Sequence, residues 1–423
     1  MKINSIKDAE KVLLKYVPAV KAFTGKDITI ERIKPILSKL DNPQDKIKVV
    51  HIAGTSGKTS TSYYIADLLQ KSGMSVGLTV SPHIDMVTER IQLNGKPIKE
   101  ELFCTYLAEC IDKIKDLPVQ PSYFELLIAL AFWVFYKEGV DYAVIETGMG
   151  GLHDSSNVTT RADKVCVITD IGYDHMHILG DTISKISYQK AGIIQSKNTV
   201  FMYEQSKEIM QTIQNRIESV DAKLFTVSNI DMLDLNLNHL ADFQKRNFIL
   251  AYKTVSYILQ DQNAFILQKA DVITSSHTYI PARMDVFNIN NKVLIMDGAH
   301  NGQKSHNFVD SFKNMFPNKK ATVMIALKDG KEYAEVLKEL KDITSSLIVT
   351  KFNTSQDLPA HSIDPIIIRD SAISMGYAFV SVIDDNKLAY NELLSKKDDL
   401  LVITGSFYLL SQVRKNQQLQ HNY

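Results

Sequence analysis

Gly54-Thr55-Ser56-Gly57-Lys58-Thr59-Ser60 follows directly on the apolar run Val49–Ala53 and leads into a helical pattern over Thr59–Ser72. A strand, a glycine-bearing loop and a helix start, in that order, make a phosphate cradle. Glycines let backbone N–H groups turn inward, the helix N-terminus favours anions, and Lys58 supplies a point charge for terminal phosphates. A hydroxyl just after the lysine, Thr59 or Ser60, is placed to ligate Mg²⁺. The strict phosphate-loop pattern has a glycine five residues before Gly57 where this chain has Ile52, so the loop is a shortened variant. The plain alternative is a tight strand-to-helix turn carrying a solvated lysine; residue types and context together favour the phosphate reading.

Three further clusters stand just beyond apolar runs: Ser81-Pro82-His83 with Glu89-Arg90, Glu146-Thr147-Gly148-Met149-Gly150-Gly151, and Thr169-Asp170-Ile171-Gly172-Tyr173-Asp174-His175. Open α/β sheets place ligand groups at such strand ends. Carboxylate, hydroxyl and imidazole there can assemble an oxygen-rich Mg²⁺ site. His177 is close to His175, and spacing alone does not choose between them. Lys190 sits in a helical, otherwise apolar patch, Tyr188–Ile194, where a lysine ordinarily snorkels to solvent. Later in the chain, Pro281-Ala282-Arg283-Met284 precedes Met296-Asp297-Gly298-Ala299-His300-Asn301, a strand-end Asp followed by Gly, His and Asn that reads as a catalytic loop.

The elements that must position these residues form two series. Candidate strands Val49–Ala53, Val76–Val80, Tyr142–Glu146, Lys164–Ile171 and Thr199–Tyr203 alternate with helical patterns at Thr59–Ser72, Glu100–Lys115 and Phe124–Lys137. Near-continuous apolar strands alternating with helices predict a phosphate-loop-containing, doubly wound, mostly parallel α/β sheet. Ser122 with Glu125 three residues on predicts a capping box. A second series, Val293–Met296, Thr322–Ala326, Ser346–Thr350, Phe379–Ile383 and Leu400–Ile403, predicts a smaller C-terminal Rossmann-like α/β domain. The polar stretch Ser275–Pro281 marks the join. The expected boundaries are 1–277 for the phosphate-loop domain, 278–283 for the linker and 284–423 for the second domain.

At 423 residues the chain is long enough for two cores. Its 48 basic and 48 acidic residues and the lack of a Lys/Arg run give no footprint for nucleic acid. No apolar run reaches the ~20 residues of a membrane span, and the N-terminus has no signal-peptide core, so the cytoplasm is the expected compartment. Cys104, Cys110 and Cys166 lack metal-ligand spacing and read as core residues.

Taken in order, these motifs resemble the Mur ligase superfamily, and within it the folylpolyglutamate synthase/dihydrofolate synthase family. The family's His-x-Ala-Gly-Thr-Asn-Gly-Lys-Gly-Ser is matched by His51-Ile52-Ala53-Gly54-Thr55-Ser56-Gly57-Lys58-Thr59-Ser60, after a similar lead-in, Leu40-Asp41-Asn42-Pro43-Gln44. Ser81–Ile98, Ser122–Phe135, Glu146–Asn157, Asp174-His175, Leu179-Gly180, Lys190-Ala191-Gly192-Ile193 and Gln244-Lys245-Arg246-Asn247 continue the likeness. Arg283, Asp297-Gly298-Ala299-His300-Asn301 and Gly405-Ser406-Phe407-Tyr408 carry it through the second domain.

The resemblance implies an ATP-dependent amide ligase that adds L-glutamate to a folate-type carboxylate through an acyl phosphate, working as a monomer with Mg²⁺, two ions in all. It implies ATP contacts from Gly54, Thr55, Ser56, Gly57, Lys58, Thr59, Ser60, Asn247, Arg283 and Asp297. Metal ligands would be Thr59, Ser81, Glu146 and His175. Lys58, Lys190 and His300 would be catalytic, with Lys190 carbamylated to hold the second metal. Tyr123, Phe124, Glu125 and Asp154 would grip dihydropteroate or a folate. The sequence departs from the family at Thr59 (usually Gly), Ser56 (Asn), Asp170 (Asn) and Leu152-His153 (Arg-Leu). Thr59 looks more like the peptidoglycan Mur ligases, which makes a Mur-type amino acid ligase the competing enzyme reading. A nucleotide-dependent regulatory ATPase that does not ligate is the competing reading from another class.

Overall fold

The computed structural model describes residues 2–18, 29–228, 237, 239–261, 267–354 and 360–417. The chain divides into two compact units, Met1–Tyr279 and Ile280–Tyr423.

The first unit is built on eight strands: β1 Lys48–Ala53, β2 Val76–Thr79, β3 Gln92–Leu93, β4 Lys96–Pro97, β5 Tyr142–Glu146, β6 Val165–Ile168, β7 Thr199–Tyr203 and β8 Lys223–Val227. They run in the order β4-β3-β2-β5-β1-β6-β7-β8. The pairs among β2, β5, β1, β6, β7 and β8 are parallel, and only the small β3–β4 hairpin joins antiparallel. All five residues of β5 and of β7 are buried. Such continuous apolar strands fit a sheet covered on both faces.

The register sets the site. Ile52 of β1 lies opposite Glu146 of β5, and Ala53 opposite Ile168 of β6. Thr147 N–H donates to Ile52 O at 2.9 Å and Thr169 N–H to Ala53 O at 2.8 Å. The loops after β5 and β6 are therefore pinned level with the end of β1, where the phosphate-loop sequence begins.

Helix Lys58–Lys71 leaves that loop and packs with helix Asp242–Asp261, the Tyr64 ring meeting Phe248 edge-on at 5.1 Å. Helix Tyr123–Lys137 is buried along nearly its whole length. Its predicted capping box is present, with Glu125 N–H donating to Ser122 Oγ and Ser122 N–H to Glu125 Oε2.

The second unit carries β9 Asp285–Ile289, β10 Lys292–Met296, β11 Ala321–Ile325, β12 Thr344–Val349, β15 Val380–Val382 and β16 Leu400–Thr404 in one sheet, with β13 Asn353–Thr354 and β14 Ala360–His361 as a separate small pair. The sheet order is β15-β12-β11-β16-β10-β9, parallel except for β9 against β10. The β9–β10 hairpin turns through Asn290 and Asn291, at φ 49 and 62. Asn tolerates the left-handed conformation that such two-residue turns require.

Both α/β sheets answer the sequence expectation. Strands β3, β4, β8, β9, β13 and β14 lie outside the sequence expectation: β3, β4, β13 and β14 are two residues each, and β8 is largely exposed, so none gives a continuous apolar run. The three cysteines are buried free thiols. Among the described residues no helix is long and apolar enough to cross a membrane.

Candidate active site

The phosphate loop is laced to the loop after β6. Thr55 and Ser56 N–H both donate to Asp170 O, at 2.8 and 3.2 Å. Thr55 Oγ1 donates to Gly172 O at 2.9 Å and accepts from Gly172 N–H at 3.0 Å. Those N–H groups of Thr55 and Ser56, expected to face ATP, are thus taken up in holding the loop. The first turn of helix Lys58–Lys71 remains as the N–H surface for an anion, since first-turn N–H groups have no partner within the helix. Gly57 caps that helix at φ 88, and a Cβ there would lie 2.4 Å from Asn247 Oδ1. Only glycine meets both conditions.

Two lysines converge on one carbonyl. Lys58 Nζ donates to Gly54 O at 3.1 Å and Lys190 Nζ to the same oxygen at 2.8 Å. Lys190 is 3% exposed, so it does not snorkel. Across the cradle, Thr59 Oγ1 donates to Glu146 Oε1 at 2.9 Å and Ser81 N–H to Glu146 Oε2 at 3.3 Å. Thr59 Oγ1 and the Glu146 carboxylate are brought together as hard oxygen donors, with Ser81 joined to them through its N–H. Among the described residues no group of three or more His, Cys, Asp and Glu gathers as a metal cage. One carboxylate with hydroxyls fits Mg²⁺, which keeps waters and takes substrate phosphate oxygens instead of a full protein cage. His175 opens the short helix Met176–Leu179 at φ 50, its Nε2 3.9 Å from Asp174 Oδ1, and the His177 ring is 6.3 Å away.

The residues expected to grip the pterin sit as follows. Phe124 is half-buried and packs on Gly148. Tyr123 is buried with the Arg90 guanidinium 5.7 Å from its ring centroid. Arg90 Nε in turn donates to His83 Nδ1 at 3.1 Å. Glu125 accepts from Ser122 N–H at 2.6 Å and from Arg32 Nε at 3.0 Å. Asp154, 3% exposed, accepts from Met149 N–H at 2.7 Å, Ser156 N–H at 2.9 Å and Ser156 Oγ at 2.5 Å. Burial pushes its carboxyl above the usual range against those donors. Both carboxylates are thus bound to the protein's own donors and shape the site's walls. Ser156 Oγ also meets buried His51 Nε2 at 2.9 Å. Burial, and then the charge of Lys164, holds His51 well below the ordinary imidazole value.

In the second unit, the turn Ala282-Arg283-Met284 is fixed by two buried carboxylates. Ala282 N–H donates to Asp285 Oδ2 at 2.9 Å, Met284 N–H to Asp297 Oδ2 at 3.0 Å. Asp297 Oδ1 accepts from Ala299 N–H at 2.8 Å. Burial raises Asp297 to about 6, opposed by nearby Arg283. The Arg283 guanidinium lies 4.5 Å from the Phe407 ring centroid, and His300 meets the same ring edge-on. His300 Nδ1 is 2.7 Å from Gly298 O, which can only accept, so Nδ1 carries the hydrogen. Nε2 is then the acceptor for Lys304 Nζ at 2.9 Å.

Phe407, Lys304, Arg246, His83 and Arg90 were missed as site residues. Lys304 is four residues past His300 on a helix, a spacing that brings side chains together. Phe407, Arg246, His83 and Arg90 stand within sequence motifs of the site, which was the signal for them.

A family model for the Mur ligase middle domain matches residues 52–258, and one for the dihydrofolate synthetase C-terminal domain matches residues 283–416. The chain belongs to the folylpolyglutamate synthase/dihydrofolate synthase family. Within that family it is 29% identical over 414 residues to the dihydrofolate synthetase of Saccharomyces cerevisiae, covering 92% of this chain and 97% of the relative. It is 28% identical over 411 residues to the dihydrofolate synthase/folylpolyglutamate synthase of Bacillus subtilis, covering 91% and 94%. A solved folylpolyglutamate synthase–AMPPCP–folate complex superposes with a TM-score of 0.80 at 26% identity, over 98% of this chain and 100% of that one.

Proposed function

We propose that this chain is an ATP-dependent ligase that joins L-glutamate to a folate-type carboxylate, dihydropteroate or a tetrahydrofolate polyglutamate, releasing ADP and phosphate. The observation that carries the reading is the cradle at the end of β1, where two lysines meet on Gly54 O beside the Thr59–Glu146 oxygen pair and the Ser81 N–H. The names of the near-full-length relatives from Saccharomyces cerevisiae and Bacillus subtilis support the substrate class.

In this reading a substrate carboxylate oxygen attacks the γ-phosphorus of ATP and ADP leaves. The amine of glutamate then attacks the acyl carbon, the acyl–oxygen bond breaks, phosphate leaves and the amine gives up a proton. Negative oxygen accumulates throughout, so cations and oriented N–H groups do most of the work. Lys58 and the first helical turn hold the phosphates. Thr59, Ser81 and Glu146 would hold Mg²⁺, with His175 as a further ligand, and the ion supplies Lewis-acid charge at the phosphoryl oxygens. From the second unit, Arg283 and Asp297 are assigned to ATP with Asn247, and His300 to catalysis beside the reacting groups.

Lys190 is assigned a carbamate. Its neutral amine adds to CO₂, losing one proton, and the product is an anion suited to a second Mg²⁺. Support comes from its burial beside the phosphate loop. A monomer is the proposed working state. Thr59 is the observation that favours a Mur-type ligase, but near-complete coverage by folate-pathway relatives outweighs it.

The test is ADP release with dihydropteroate or tetrahydrofolate, each with and without L-glutamate, beside a muramyl-peptide precursor. Release that requires a pterin carboxylate and glutamate together is expected. Release with the muramyl precursor alone would replace the folate assignment, and release indifferent to every pair would leave a regulatory ATPase.

A further inference from the structure

We propose that Arg246 neutralises the Asp170 carboxylate beside the phosphate loop and so lets nucleotide bind, acting through Asp170 and not by touching the nucleotide; the inference rests on the loop being the ATP site. Asp170 faces two ways. Its backbone carbonyl receives the N–H groups of Thr55 and Ser56, at 2.8 and 3.2 Å. Its carboxylate accepts from Arg246 Nη2 at 2.8 Å. The segment around it is held independently: Ile171 N–H donates to Gln205 Oε1 at 2.8 Å, and Gln205 Nε2 to Thr169 O at 3.3 Å. Arg246 is itself pre-set by the Tyr203 ring, whose centroid is 4.1 Å from the guanidinium carbon.

The next residue on the same helix is Asn247, whose Oδ1 occupies the space a Gly57 side chain would need. One helical turn therefore packs against the loop at Gly57 and faces it through Asp170 beside Thr55 and Ser56. The pair also settles a charge problem. A carboxylate one residue's breadth from a phosphate cradle repels the ligand, and a guanidinium bound to it cancels that field. Both side chains are about a third exposed, at 32% for Arg246 and 27% for Asp170. The pair therefore adds little to global stability, and its effect is confined to the loop.

The experiment is titration of the full chain with Mg²⁺ and AMPPNP, which reads nucleotide binding without any pterin. If wild type fails to bind, the ATP-site reading falls before the pair is tested. Given binding, Arg246→Gln is expected to weaken it about tenfold by exposing the Asp170 charge, with an unchanged melting temperature. Asp170→Asn/Arg246→Gln, which removes the charge as well, is expected to return to within about threefold of wild type. Arg246→Gln binding as tightly as wild type would overturn the proposal. So would a double variant as weak as Arg246→Gln, which would mean that Arg246 contacts the nucleotide itself.

Discussion

The phosphate loop of the first unit and the Arg283 turn of the second are held by opposite means. The loop is fastened largely by neutral backbone bonds: Thr55 and Ser56 to Asp170 O, Thr147 to Ile52 O, Thr169 to Ala53 O. The turn depends on buried charge. Ala282 and Met284, on either side of Arg283, stand at φ 57 and 56, a conformation costly for residues with side chains. Asp285 and Asp297 hold that strain through single N–H bonds. Asp285 in turn is fixed by Arg414 Nη1 at 2.7 Å, both side chains 1% exposed. The first arrangement fixes the loop through main-chain groups that do not ionise. The second ties the placement of a functional cation to the ionisation of its neighbours.

That contrast predicts where each unit breaks. Lys58→Ala should lower ligation by roughly 10³-fold or more with the melting curve unchanged, because the amine acts on developing phosphate charge and packs no core. A full loss of folding would contradict the idea that the loop is held by its backbone. Glu146→Ala should cut turnover about 100-fold and raise the Mg²⁺ concentration needed for half-activity, as one coordination position is lost. In the second unit the expected failure is of stability. Arg414→Met leaves Asp285 buried without its counter-charge and should cost about 3–5 kcal/mol in denaturant unfolding. Pairing it with Asp285→Asn should recover part of that cost; no recovery would mean that packing, not charge, holds the turn.

The smallest effect is in pH. Asp297 is raised from 3.8 to about 6 by burial, so between those values the folded protein keeps a proton that the unfolded chain releases. Its contribution to stability therefore falls as pH rises through that window and is level above it. Wild type should lose stability relative to Asp297→Asn as pH is raised from about 4 to about 6, while turnover of wild type gains over the acidic end as the carboxylate forms. A stability difference constant across the window would contradict the assigned shift.

Much of this architecture is legible in the chain because local signals and tertiary demands agree. The run into Gly54, the capping box at Ser122 and Glu125, and the apolar strands each combine a residue pattern with one possible role. What was not legible are the partners of charged groups. Arg32 reaches Glu125 across 93 positions, Arg246 reaches Asp170 across 76, and Arg414 reaches Asp285 across 129. Nothing near a carboxylate in sequence says whether its oxygens will face a ligand or be taken by distant donors. Asp154 illustrates the point: the family resemblance offers it to the pterin, yet its oxygens close the turn on Met149 and Ser156. Asp170 is the converse, a departure from the family's Asn whose added charge is met by Arg246.

The most direct test of the proposed ligation follows label, not rate. A folate-type substrate carrying ¹⁸O in its reacting carboxylate should transfer one ¹⁸O into each phosphate released during glutamate-dependent turnover, because that oxygen bridges carbon and phosphorus in the acyl phosphate. Phosphate released without label, at undiminished ADP formation, would show that water and not the carboxylate attacks ATP, and the ligase account would fail.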